Sequence, residues 1–332
     1  MISVNTVRAS LAMATFLLSS PTYAEETTKI RFMEVIHSLF YSPLYIAKGQ
    51  GYFAEEGIDF DLIAAQGSDK ATAAILGGSA DIALVGPETT VYVRTGKSPL
   101  KIRMFAGLTA TDGSFLMAHE PIEDFDWSQV KGKTILSWRE GSAPALFLRA
   151  ALRENGIDPE TDVEIVSNVA PAARAGAFMA GTADFGTFFE PDVSVMRATE
   201  GAEPLANIGS AVGAIDYTVF VASEDYIAEN PAIVQGFTDA IAKAQDWIAT
   251  APAGEAARVL APFFPGVDAG VLEASFERQR AAGVWKATPA IAPEAISALQ
   301  DMLVAGGLMT EDQRQPFEAL VAPEFAAGAS GL

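Results

Sequence analysis

Few residues in this chain could do covalent chemistry. Its 332 residues include no cysteine and only two histidines, His37 and His119. Disulfides, thiolate metal sites and a cysteine nucleophile are excluded on that count alone. Neither histidine has a partner at metal-ligand spacing such as H-x-x-x-H. No G-x-S-x-G elbow presents a serine nucleophile, and neither a G-x-G-x-x-G turn nor a phosphate-loop lysine motif occurs. No catalytic residue, no metal site and no cofactor is therefore expected. What remains is noncovalent recognition. Five short segments mix glycine, proline, hydroxyls, rings and single charges: 37–41, 66–68, 86–89, 138–142 and 188–191. The candidate ligand contacts within them are His37, Phe40, Tyr41, Gly67, Ser68, Pro87, Glu88, Thr89, Trp138, Arg139, Gly141, Ser142, Phe189 and Glu190, with Tyr217 beside them. Aromatic rings at such places clamp a flat or apolar ligand. Arg139 suits an anion held bidentately. Glu190 suits an amino group or a ring nitrogen, or else stabilises a helix start, as Glu88 also would.

Each of these segments follows a β-rich run and precedes an amphipathic one. Strands are expected at 30–36, 58–64, 81–85 and 101–107, and again at 115–118, 133–137, 163–166, 183–188 and 219–222. Helices start at Ser42-Pro43, Ser68, Gly86-Pro87, Ser142, Pro171 and Pro191, where capping residues or proline stand at the first turn. Such alternation predicts parallel sheets with right-handed crossovers. Ligands bind outside the carboxyl ends of the strands in folds of this kind, where helix-start N–H groups are free. The pattern breaks into a Gly- and Ala-rich loop near residues 207–218. The last third is helical, with Val234, Phe237, Ile241, Ala244 and Ile248 on one stripe. Residues 323–332 read as a flexible tail.

The phrase SPLYIAKGQGYFAEEGIDFDL, residues 42–62, resembles the first lobe of type II periplasmic substrate-binding proteins. The group serves ABC importers of nitrate, sulfonates, taurine and thiamine pyrimidine precursors. The resemblance covers nearly the whole chain after residue 24. It implies an α/β fold of two lobes with a ligand cleft between them and a helical C-terminal part packed on lobe 1. Lobe 1 would be discontinuous, residues 25–110 plus 218–322, and lobe 2 would span 111–217. The implied function is capture of a small organic or anionic ligand by hinge closure and delivery to a permease in the inner membrane, by a monomer. Two alternatives accompany it: an enzyme of thiamine pyrimidine biosynthesis, and a periplasmic sensor subunit that presents its ligand to a receptor. The enzymatic relatives carry a cysteine-rich motif, which a cysteine-free chain lacks.

Composition agrees with these expectations. The net charge of −20 and the pI near 4.4 argue against nucleic acid and anionic membrane surfaces as partners. Residues 1–24 have one charge, Arg8, then an apolar run and Thr22-Tyr23-Ala24. This is the layout of a secretory signal peptide cut after Ala24, which implies a periplasmic protein.

Overall fold

The amino-terminal strand expected at 30–36 is cut in two. In the computed structural model, which describes residues 27–329, β1 (Thr28–Lys29) and β2 (Phe32–Met33) are separate pieces. β1 pairs parallel with β3 (Ile58–Asp59), and β2 pairs parallel with β4 (Ile82–Val85). The chain changes partner at Ile30-Arg31, so neither piece extends. The region 58–64 shortens for the same reason, with Ala64 keeping only a bridge to Glu34.

The next strands are β5 (Ile102–Thr109), β6 (Phe115–Ala118), β7 (Thr134–Leu136), β8 (Glu164–Val166), β9 (Phe185–Phe188), β10 (Glu203–Asn207) and β11 (Thr218–Ser223). They form two main sheets, in the orders β2-β4-β11-β5 and β10-β6-β9-β7-β8. Both are mixed rather than parallel. β11 runs antiparallel to β4 and β5, and β6 runs antiparallel to β9 and β10. The cause is the route of the chain. It leaves the first sheet after Thr109, builds the second, and returns at Thr218 to insert β11 against the direction of its neighbours.

The two crossings touch each other. The hydroxyls of Thr109 and Thr218 lie 2.6 Å apart, and Thr111 Oγ1 donates to the Gly213 carbonyl at 2.7 Å. Gly209 permits this approach, since any side chain there would collide with the Asp112 carbonyl and Thr111. The expected loop at 207–218 is thus partly regular. Asn207 ends β10, and its side chain accepts from Ser210 N to cap a short helix, Ile208–Val212.

The predicted stripe of the helix Pro231–Thr250 is buried against the first sheet. Phe237 packs with its ring centroid 4.9 Å from Phe220 and 4.7 Å from Phe53. Contacts of this kind stabilise a core mainly through the apolar area they remove from water. A smaller core under the second sheet joins Phe178, Phe188, Val193 and Met196. The tail expected to be flexible is instead helical from Glu324 to Ala329. Phe325 and Ala326 are buried there, which gives that turn an apolar anchor. The expected signal peptide lies outside the described residues.

Candidate ligand-binding site

Strand ends from both sheets converge on one cleft. It has a volume of about 300 Å³ and is lined from the first sheet by Val35, Ile36 and residues 66–68. Trp138, Arg139, Ser142, Pro144 and residues 167–171 line it from the second. An inner chamber of about 40 Å³ shares Val35, Ile36, Ser68, Trp138 and Pro144 with it, and adds Tyr41, Gly86, Ala143, Phe189 and Tyr217.

Local sequence explains each wall. Gln66 and Gly67 both take positive φ, 62° and 144°, which turns the chain into the helix Ser68–Leu76. Ser68 Oγ then accepts from Gly86 N at 3.1 Å and ties two loops together. The Glu88 carboxylate folds back over Gly86, and a side chain there would have to displace it. Trp138 follows β7, and its indole lies on the guanidinium of Arg174 at 4.1 Å. Arg174 is almost wholly buried. It donates to the carbonyls of Leu136 at 3.2 Å, Thr187 at 2.8 Å and Ser137. It therefore joins the ends of β7 and β9 and props the tryptophan. Burial pushes its pKa down to about 9.

The lobes meet across this cleft. Arg139 pairs with Asp69. Glu88 Oε1 accepts from Ala143 N at 3.1 Å, at the start of the helix Ala143–Glu154. Tyr92 Oη donates to the Gly141 carbonyl at 2.9 Å. Ser38 Oγ and Leu39 N donate to the Glu190 carbonyl at 2.6 Å and 3.1 Å. The arrangement is closed.

Of the residues expected from sequence, the structure brings Tyr41, Gly67, Ser68, Trp138, Arg139, Ser142, Phe189 and Tyr217 to the cleft. Pro87, Glu88 and Thr89 lie just behind Gly86. The helix start at Ser142 is also as expected, although its hydroxyl donates to the Arg139 carbonyl at 2.6 Å rather than capping the helix. Ser42, read as a cap, is instead the first residue of its helix, after a short 3-10 turn at Leu39–Tyr41.

Four residues sit elsewhere. His37 points to the outside, with Nδ1 2.8 Å from Glu34 and Nε2 2.7 Å from the Phe263 carbonyl. The Glu34 hydrogen bond raises its pKa. Phe40 is buried between the lobes, its ring 5.0 Å from Phe189 and 5.5 Å from Tyr217. The Glu190 carboxylate is fully buried and bonds Ser194 N and Oγ, both at 3.0 Å, and Arg278. Gly141 lines a different groove of about 440 Å³ between the helices Ala143–Glu154 and Pro293–Ala305. That groove is larger, yet none of the other expected residues faces it. Arg149 in its wall is paired with Glu140 and Glu160. The smaller cleft has the strand ends, the rings that continue into its inner chamber and, in Trp138 Nε1, an unpaired donor.

Sequence reasoning missed residues 167–171. The rule that found the other loops applies to them equally, since they follow β8 and precede the helical turn at Pro171. Lys70, which also lines the cleft, and Arg174 carried no local indication. His119 is structural as well, 2.9 Å from the Ala183 carbonyl and stacked on Phe178 at 4.2 Å. Among the described residues no cluster of three or more His, Cys, Asp or Glu could hold a metal. No helix among them is long and apolar enough to cross a membrane.

Burial dominates the electrostatics of the inner end. It pushes the Glu88 carboxyl up to about 7 and the Asp112 carboxyl up to about 6. The phenols of Tyr41 and Tyr217 rise well above their ordinary value, first through burial, then through Glu34, Glu88 and Asp112 at Tyr41 and through Asp112, Tyr41 and Glu88 at Tyr217.

Known proteins share this architecture. The sequence profile of the family described as NMT1/THI5 like matches residues 40–255. YtlA of Bacillus subtilis (strain 168), named as a candidate binding protein, is 35% identical over 311 residues, covering 94% of this chain and 92% of its own. The alkanesulfonate-binding protein SsuA from Xanthomonas axonopodis pv. citri, solved with MOPS, superposes with a TM-score of 0.70 at 20% identity. That match covers 88% of this chain and 97% of SsuA. The periplasmic nitrate-binding protein NrtA from Synechocystis PCC 6803 gives 0.75 at 15% identity, covering 92% and 89%. At these identities the solved structures establish the shared two-lobed fold.

Proposed function

The chain belongs to the NMT1/THI5-like family, and from that premise we propose that it is the solute-capturing component of an ABC importer. It works in the periplasm, exported by residues 1–24 with the cut after Ala24. Its lobes are residues 25–110 with 218–322, and residues 111–217. It takes a small organic or anionic solute, closes over it, and delivers it to a permease of the inner membrane. It makes and breaks no bond in its ligand.

One observation carries this reading. A cleft of about 300 Å³ is walled from both sheets, and among the described residues the covalent links between those sheets are the two crossings at 110–114 and 208–217. A solute that touches both walls favours the shut form by its differential contacts. The ring walls, Trp138, Phe189, Tyr41 and Tyr217, support an organic solute over a bare inorganic ion, as the alkanesulfonate-binding relative also suggests. Ser68, Ser142 and the helix starts beside them supply the polar contacts.

The test has two parts. Mass spectrometry of material released on denaturing freshly purified protein identifies the solute. Small-angle scattering of solute-free protein, before and after adding it back, should show compaction. A chain that releases no small molecule, binds none and does not compact would defeat the reading.

A further inference from the structure

We infer that Glu88 couples ligand recognition to lobe closure: Oε1 docks on the second lobe, and Oε2 takes an N–H donor from the solute. The inference rests on the solute-capture reading and names the group of the solute that is read.

Glu88 belongs to the helix Glu88–Thr95 of the first lobe and is 1% exposed. Its Oε1 is satisfied by Ala143 N of the second lobe at 3.1 Å. Its Oε2 is buried and has no hydrogen-bond partner. A buried carboxylate oxygen left without a donor is costly, so a donor is expected to reach it. The carboxylate lies against Gly86 and Ala143, and both of these line the inner chamber. The chamber opens into the main cleft through five shared residues and holds about 40 Å³. That admits one small group at the end of a larger solute.

The surroundings select the sign of that group. Asp112 is buried nearby, and both carboxylates act on Tyr41 and Tyr217. The cations of the main cleft are Lys70 and Arg139, and neither lines the inner chamber. Arg139 is also paired with Asp69 and about half exposed. An anionic group at the inner end would lie near the Glu88 and Asp112 carboxylates, just behind the wall, and would meet no cation of the chamber wall. An amino or ammonium group would complete Oε2. Trp138 Nε1 is also unpartnered, whereas the Tyr217 hydroxyl faces the Asp112 carboxylate. The indole N–H can donate, so an acceptor atom close to the amino group would satisfy it in turn.

Two probe pairs test this by calorimetry on the full-length mature chain freed of bound solute. They are taurine with ethanesulfonate, and 4-aminopyrimidine with 4-methylpyrimidine. In each pair only the first member carries the amino group. Wild type should favour the amino member of at least one pair by roughly ten-fold or more. Glu88→Gln keeps an oxygen for Ala143 N and turns an NH₂ to the chamber, so it should lose or reverse that preference. Equal binding within both pairs, no binding of any probe, or an unchanged preference in Glu88→Gln overturns the inference. Should the variant not fold, wild type decides. Its preference for taurine should shrink as Glu88 is protonated between about pH 8 and about pH 5.5, and a constant preference overturns the inference. Release of an amine-free organic solute from purified protein would remove the role of Glu88 and leave solute capture standing.

Discussion

Arg139 of the second lobe and Asp69 of the first are ion-paired across the mouth of the cleft, with side chains 53% and 48% exposed. Exposed pairs of this kind are worth about 0–1 kcal/mol. Arg139→Ala and Asp69→Ala should therefore each weaken solute binding by less than about 1 kcal/mol. The double variant should be no worse than either, and the effect should fade in high salt. Calorimetry on the three chains checks this. A loss of about 1.5–3 kcal/mol at Arg139, with none at Asp69, would mean that the guanidinium holds the ligand instead.

Glu190 should matter for stability and not for affinity. Its carboxylate is 0% exposed and is used by Ser194 and Arg278. Glu190→Gln weakens charged hydrogen bonds, at a cost of about 1.5–3 kcal/mol in urea unfolding. Solute affinity of the folded variant should stay within roughly two-fold of wild type, since Ser194 and Arg278 both lie outside the cleft. A variant with normal unfolding and weak binding would place Glu190 in the site.

Trp138 walls both the cleft and its inner chamber. Trp138→Ala should cost about 2 kcal/mol or more of binding, the usual scale for a central buried ring. Trp138→Phe keeps a ring on Arg174 but removes the unpaired indole N–H and part of the ring area, so it should fall between. Equal affinity of all three chains would show that the ring packs the lobes and does not touch solute.

Buried carboxyls set a pH dependence. The folded pKa of Glu88, about 7, lies above its ordinary 4.5. The folded state thus binds that proton more tightly than the unfolded chain. Its stabilising effect is complete below about pH 4.5 and is lost as pH rises through about 7, a change of up to about 3 kcal/mol. The backbone N–H groups of Glu88 itself and of Ala143 oppose the shift first and Arg139 after them, and Tyr41, Tyr92 and Tyr217 also act electrostatically with Glu88. The raised pKa of His37 slopes the same way. Solute-free wild type should resist urea better at about pH 5 than at about pH 8, and Glu88→Gln should flatten part of that slope. Parallel profiles for the two chains would contradict the assignment.

Processing gives a simple check on export. Amino-terminal sequencing of the protein recovered from the periplasm should begin Glu25-Glu26-Thr27. An intact Met1 in that fraction would exclude cleavage at Ala24.

Sequence alone determined where most strand-to-helix turns lie, and each of the five expected segments contributes a residue to the wall of the cleft or its inner chamber. Strand-to-helix turns are punctuated locally by Gly67-Ser68, Gly86-Pro87 and Gly141-Ser142, and local backbone preferences do not depend on distant parts of the chain. The stripe on Pro231–Thr250 was legible for the same reason, since its period belongs to one helix. Strand direction was not. β11 runs against β4 and β5 only because the chain returns from the second sheet, and no residue within β11 records that route. The two glutamates mark the boundary most clearly. Glu88 and Glu190 both stand beside a proline, after a strand, at the start of a helix. Glu190 meets Arg278, 88 residues away, and is consumed by it. Glu88 meets one backbone N–H of the opposite lobe and keeps an oxygen free. Burial and partners decide what a carboxylate can do, and both are set by chain segments that only the tertiary fold brings together.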